Sequence, residues 1–97
     1  MEIEGYPTVS LHYLGAFPAL LEVDLTRCGL EDIAFLQHSN KLTKLNLRGN
    51  QLAELPAFIG QLSQLRWLDL SNNPFKVLHI DLSGLYQLEH FEVKLGK

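Results

Sequence analysis

LTKLNLRGNQL, residues 42–52, decides the fold of this chain, because its leucines and asparagine return at fixed intervals. The same order of apolar and polar positions recurs as LRWLDLSNNPF over residues 65–75 and as LLEVDLTRCGL over residues 20–30. A partial copy, LEHFEV, begins at residue 88, so successive starts lie 22 or 23 residues apart. A self-similar period of this length predicts a solenoid, in which each unit buries its apolar face only against its neighbours.

The repeated template resembles that of the leucine-rich repeat family. The resemblance implies an α/β fold, namely a right-handed solenoid with about five short parallel strands on its concave face and 3₁₀ or short helical returns on its convex face. We predict an N-terminal cap followed by three repeats and a partial fourth, with bounds 1–19, 20–41, 42–64, 65–87 and 88–97. One strand of the predicted five lies in the cap, near residues 8–12.

Each unit has two halves with different periods. Alternation of apolar and polar residues over 65–71 predicts a strand with one face in the core. In residues 52–62 the apolar residues recur every three or four positions, and Pro56 with Gly60 favours a 3₁₀ or irregular return over a long helix. The return at 30–36 has no proline and begins with two acids, so we expect a short α-helix there.

Asn50 and Asn73 follow their strands at the point where the chain must turn. Their side-chain amides can satisfy backbone groups that the turn leaves unpaired, so we predict a ladder of asparagine hydrogen bonds along the solenoid. Cys28 occupies the same slot in the first repeat, where a small buried side chain with a weak donor fits.

Composition limits the classes of function. The 97 residues suit one domain, and a net charge of −3 without a Lys or Arg run argues against nucleic acid or an anionic membrane as the partner. The first residues are acidic and do not read as a signal peptide, and a single cysteine forms no internal disulfide. We therefore expect a cytoplasmic protein, although delivery as a bacterial effector without a cleavable leader stays open.

The outward positions of the strands predict a partner-binding surface on the concave face. Strand alternation places these side chains in three rows, one residue from each strand in every row. The predicted partner-binding residues are Glu22, Lys44, Trp67 and His90 in the first row, Asp24, Asn46, Asp69 and Glu92 in the second, and Arg48 and Ser71 in the third.

Trp67 is the most informative of these residues, because tryptophan is enriched at binding hot spots and gains little for the fold on an exposed strand face. The alternative is that it merely packs over Lys44 and His90. The second row carries three acids, which suits a basic or amide-rich partner, but it equally suits a solvated surface.

Catalytic and metal sites are not predicted. The four histidines lie on different units without the close spacing of a zinc site. Cys28 sits in a slot that buries it, where a thiol is inert, and no phosphate-binding glycine loop or nucleophile elbow is present. We expect no cofactor, no metal and no enzymatic activity.

Two functions remain for such a surface. The first is a non-catalytic protein–protein interaction module that binds its partner through the concave face. The second is a structural or assembly segment of a larger leucine-rich repeat receptor, kinase-linked or effector protein. We also predict that the strand within 88–93 exposes a backbone edge, which two chains can pair to form a homodimer.

Overall fold

The computed structural model describes residues 20–78 and 81–94. Within them the chain forms four strands of three residues each and two 3₁₀ helices. The strands are β1 (Glu22–Asp24), β2 (Lys44–Asn46), β3 (Trp67–Asp69) and β4 (His90–Glu92), and the 3₁₀ helices are Ala34–Leu36 and Ala57–Gln61. The predicted fifth strand, near residues 8–12, and the N-terminal cap at 1–19 lie outside the described residues.

The four strands form one parallel sheet in the order β1-β2-β3-β4. Strand centres align as the repeat predicts, with Val23 beside Leu45, Leu45 beside Leu68 and Leu68 beside Phe91. Backbone pairing continues past the strand ends, since the Gly49 amide donates to the Ser71 carbonyl at 3.0 Å. Each repeat thus adds one strand to a continuous sheet.

The core lies between the sheet and the returns, and the leucines of the template fill it. Sixteen apolar residues are buried in the part of the chain that the structure describes, among them the inward residues of β1, β2 and β3 and both isoleucines of the first two returns. Phe75, which replaces the last leucine of the template, is fully buried. Burial of a leucine-sized side chain contributes about 1.5–3 kcal/mol, so the repeated apolar positions supply most of the stabilisation.

The first return is a 3₁₀ helix, Ala34–Leu36, and the predicted short α-helix is wrong. Asp32 Oδ1 accepts from the Ala34 amide at 2.8 Å, and the Leu36 amide then donates to the Ile33 carbonyl at 3.0 Å. A 3₁₀ helix rises about 2.0 Å per residue against 1.5 Å for an α-helix, so it spans a short return with fewer residues.

The other two returns are also short. The second forms the 3₁₀ helix Ala57–Gln61 directly after Pro56, which agrees with the predicted 3₁₀ or irregular return. In the third, Asp81 Oδ1 accepts from the Ser83 amide at 2.9 Å and starts a turn. Gly84 passes so close to the preceding return that a Cβ there would lie 2.6 Å from the Gly60 carbonyl oxygen. Adjacent returns therefore pack with almost no space between their backbones at this point.

The residue before each ladder position has a left-handed backbone. Arg27, Gly49 and Asn72 have φ of 54°, 74° and 56°, and all three occupy the same place in the repeat. Glycine and asparagine adopt this conformation readily, whereas arginine does so at a cost. The turn geometry of the repeat therefore prevails over the local preference of Arg27.

Candidate functional site on the concave face

The sheet brings the predicted partner-binding residues together on one face. Equivalent residues of successive repeats lie side by side in the sheet. Lys44 pairs with Trp67 and Trp67 with His90, and two positions later Asn46 pairs with Asp69 and Asp69 with Glu92. They alternate with the buried centres of β1, β2 and β3. The first two rows expected from the repeat are therefore rows of the folded sheet, whereas Arg48 and Ser71 of the third row lie just past the ends of β2 and β3.

Trp67 is half-buried and held between its neighbours in the first row. Its ring stacks on His90 with a centroid distance of 4.7 Å and an interplanar angle of 8°. Lys44 Nζ lies over the ring at 5.0 Å from the centroid, a cation–π geometry. Since β2 and β4 flank β3 on opposite sides, Lys44 and His90 approach the ring from the two sides, and part of the Trp67 residue stays exposed.

His90 and Glu92 extend this cluster along β4. His90 Nε2 lies 3.3 Å from Glu92 Oε1. The same nitrogen is covered by surrounding atoms and makes no hydrogen bond of good geometry within the described residues. We therefore treat the His90–Glu92 contact as electrostatic proximity and not as a formed hydrogen bond.

The second row has a structural role at the strand ends. In three successive repeats its side-chain oxygen accepts a hydrogen bond from the backbone amide two residues later. These bonds run from Thr26 N to Asp24 Oδ1 (3.1 Å), from Arg48 N to Asn46 Oδ1 (3.0 Å) and from Ser71 N to Asp69 Oδ1 (2.9 Å). This is the Asx turn, in which a short polar side chain replaces a backbone acceptor.

Asp69 differs from the exposed acid expected at its position. It is only 4% exposed, and its Oδ1 also accepts from the Ser71 hydroxyl at 2.5 Å. The side chain folds back along its own strand because these two donors lie within reach. A partner approaching the concave face therefore meets Glu92 and the half-buried Asp24 more readily than Asp69.

The third row is only partly available for binding. Arg48 is exposed, whereas the Ser71 hydroxyl is directed at Asp69. Lys94, at the equivalent position after β4, is also exposed, so this row presents cations beside the strands.

The ladder joins the repeats beneath this face. Asn50 Oδ1 accepts from the amides of Cys28 and Leu30, each at 3.0 Å, and its Nδ2 donates to the carbonyls of Leu25 at 3.0 Å and Leu47 at 2.8 Å. Asn73 repeats the pattern one unit on: it accepts from the Leu52 amide at 3.1 Å and donates to the Leu47 carbonyl at 2.9 Å. The Leu47 carbonyl oxygen therefore accepts hydrogen bonds from both asparagine side chains.

Cys28 takes the ladder position of the first repeat. It is a buried thiol whose Sγ lies 3.6 Å from the Thr26 carbonyl oxygen, a long and weak contact.

One ion pair was missed by the sequence analysis. Arg66 and Glu89 form a two-pronged pair with N–O distances of 3.1 and 3.0 Å. The hydrogen bond and charge of Arg66 lower the pKa of the Glu89 carboxyl, and Glu89 correspondingly raises the pKa of Arg66. The signal was available, since the two residues occupy the same place in successive repeats and carry opposite charges.

In residues 20–78 and 81–94, no group of three His, Cys, Asp or Glu side chains is arranged to hold a metal ion. The helices of the same residues are too short to span a bilayer.

A family model described as leucine rich repeat matches residues 18–75 and, in a second overlapping match, residues 40–94. The two matches together cover most of the 97-residue chain.

Proposed function

Because the chain belongs to the leucine-rich repeat family, we propose that it is a non-catalytic module that binds a partner protein through its concave face. The single observation that carries the proposal is the aromatic cluster of Trp67 with Lys44 and His90. Members of this family generally serve in protein interaction, which supports the class of function and leaves the surface to be argued from the residues.

The cluster has the properties of a binding anchor. Tryptophan supplies a large apolar contact and is enriched among residues that dominate binding energy. Stacking on His90 and contact with Lys44 already restrict the Trp67 side chain before any partner arrives. Little side-chain entropy is then lost on binding, and a partner can cover the part of Trp67 that is still exposed.

The polar residues around Trp67 would set selectivity. Lys44 and Arg48 supply positive charge and Glu22 and Glu92 negative charge on this face, and His90 stacks on the ring. A partner with complementary charges binds faster and in a defined register. Asp24, Asn46, Asp69 and Ser71 would act mainly by holding the strand ends in place for these neighbours.

The handedness of the solenoid, its number of strands and the class of partner are proposed from general rules. Right-handed winding is expected because crossovers between parallel strands are almost always right-handed. A fifth strand near residues 8–12 would extend the concave face beyond β1. The net charge of −3 favours a protein over nucleic acid or an anionic membrane as partner.

Affinity capture tests the concave face. Wild-type protein and Trp67→Ala are compared as baits by quantitative mass spectrometry, with Tyr86→Ala as the matched control. Tyr86 is an exposed aromatic residue outside the strands. We expect a partner that is retained by wild type and by Tyr86→Ala and lost by Trp67→Ala.

The stability of the baits must be measured in parallel. The contacts of Trp67 predict that Trp67→Ala lowers the free energy of unfolding by about 1–2 kcal/mol, from lost stacking and cation–π energy. The fold should persist, as judged by circular dichroism. A set of captured proteins that is identical for wild type and Trp67→Ala would refute the concave-face proposal.

A second candidate rests on β4. Phe91 is 38% exposed, whereas Leu45 and Leu68, its counterparts in the repeat, are fully buried. Covering this side chain favours either a homodimer that pairs the 88–93 edges or assembly with further repeats of a larger protein. Light scattering at micromolar concentration, with Phe91→Ser for comparison, separates the dimer from the monomer: a wild-type mass equal to one chain rejects the homodimer.

A further inference from the structure

A groove opens between the first and second returns, on the side of the core opposite to Trp67. Its volume is about 540 Å³, within the range of ligand pockets. Residues that precede and form the first 3₁₀ helix line one wall, and residues around Pro56 line the other. No feature of the concave face contributes to it.

The floor of the groove is apolar. Ile33 is buried at its base, while Leu55 and Phe58 are half-buried and keep part of their side chains exposed. Their inner atoms pack against the core and their outer atoms face the groove. An apolar side chain placed there would cover surface that now contacts water.

The rim of the groove carries one sign of charge. Glu31 and Asp32 stand on the first return and Glu54 on the second, all exposed, and no Lys or Arg is among the described residues that line the groove. One carboxylate oxygen of Asp32 accepts a hydrogen bond from the Ala34 amide. Within residues 20–78 and 81–94, neither Glu31 nor Glu54 forms an ion pair.

We propose that this groove binds a peptide segment of a protein partner in which a Lys or Arg lies beside an apolar residue. The apolar side chain would seat on Leu55 and Phe58, and the cations would meet the carboxylates of both returns. Because the acids stand on two successive returns, an extended segment that crosses the groove meets more of them than a single small amine does. This site is independent of the concave face, so it gives the module a second binding surface.

The probe for this site is a fluorescein-labelled Gly-Leu-Lys-Phe-Lys-Gly peptide, and its control carries Glu in place of both Lys residues. Binding is measured by fluorescence anisotropy and located by amide chemical-shift changes in ¹⁵N-labelled protein. We expect the basic peptide to shift amides within 31–37 and 53–58 and the acidic peptide to shift none. Raising the salt from about 0.01 M to about 1 M should weaken binding, since the screening length falls from about 30 Å to about 3 Å.

Two double variants of equal net charge separate a local effect from a general one. Glu31→Gln with Glu54→Gln removes two carboxylates of the groove, whereas Glu22→Gln with Glu92→Gln removes two from the concave face. The groove variant should bind the basic peptide roughly threefold to tenfold more weakly, because exposed ion pairs contribute modestly, and the concave-face variant should bind almost as wild type does.

Three results would overturn the proposal: no shift in 31–37 or 53–58 with the basic peptide, shifts confined to the concave face, or equal weakening in both double variants. The mapping uses wild-type protein, so it decides the matter even where a variant is destabilised. Loss of partner capture by Trp67→Ala bears only on the concave face, and the two proposals therefore fail separately.

Discussion

Replacing Asn50 by alanine tests the ladder that joins the first two repeats. The substitution removes the acceptor of the Cys28 and Leu30 amides and the donor to the Leu25 carbonyl, while the Leu47 carbonyl keeps its bond from Asn73. Each buried group left unpaired costs about 1–3 kcal/mol. Because Leu30 is only half-buried, water can reach part of the site, and the lower end of that range applies. For the three groups together, the expected loss in the free energy of unfolding is roughly 3 kcal/mol.

A loss of this size is large for a chain of this length. Stability of about 0.05–0.15 kcal/mol per residue gives a domain of 97 residues about 5–15 kcal/mol in all. A loss of roughly 3 kcal/mol should lower the melting temperature by about 15 °C. Equilibrium urea denaturation, followed by circular dichroism, measures the free energy directly when the slope against denaturant is unchanged.

Asn46→Ala is the matched control, because it makes the same chemical change in the same repeat. Asn46 Oδ1 accepts one short bond, from the exposed Arg48 amide, so its loss should cost only about 0.5–1 kcal/mol. The ladder reasoning is refuted when Asn50→Ala unfolds within about 0.5 kcal/mol of wild type, or no earlier than Asn46→Ala.

Three further substitutions give distinct outcomes. Cys28→Ala should cost about 1 kcal/mol in urea denaturation, well below Asn50→Ala, because a thiol is a weak hydrogen-bonding group; an equal loss would mean that the thiol matters as much as an amide. Gly84→Ala should lower stability by about 1–3 kcal/mol, since the new Cβ would collide with the Gly60 carbonyl, and an unchanged melting temperature would contradict this close approach. Glu89→Gln removes the pair with Arg66, whose hydrogen bond and charge lower the folded-state pKa of Glu89. Wild type should therefore melt above Glu89→Gln at pH values above the unfolded carboxyl pKa and converge with it as the pH falls through the lowered folded pKa, and a constant gap would contradict the pairing.

The family and the parallel sheet were predictable because the leucine period reports directly which side chains must be buried. The same period sets the register, so the neighbours of Trp67 across the sheet were predictable as well. The helix type of the first return was not, because it depends on the distance the return must span. Helix-start signals such as Asp32 are shared by α and 3₁₀ helices.

The burial of Asp69 shows a second limit. Alternation predicts the direction in which a side chain leaves the strand, but a short polar side chain can turn back to its own backbone. The groove between the returns could not be predicted from the sequence either. Its walls come from two loops whose relative position follows from packing, and the repeat pattern carries no information about that gap.

The Asx turns of the second row bear on how this surface can change by mutation. Only a short side chain with an oxygen at the right reach closes that turn, which restricts the position to residues such as Asp and Asn. Glu92, one methylene longer, stands at the same place in β4 and is directed toward His90 instead. Substitutions that alter what the module recognises should accordingly be tolerated better at residues 44, 48 and 90 than at Asp24 and Asp69, whose carboxylates each accept two hydrogen bonds. A library that randomises residues 44, 48 and 90 and preserves 24 and 69 should yield more folded variants than one that randomises 24 and 69 instead.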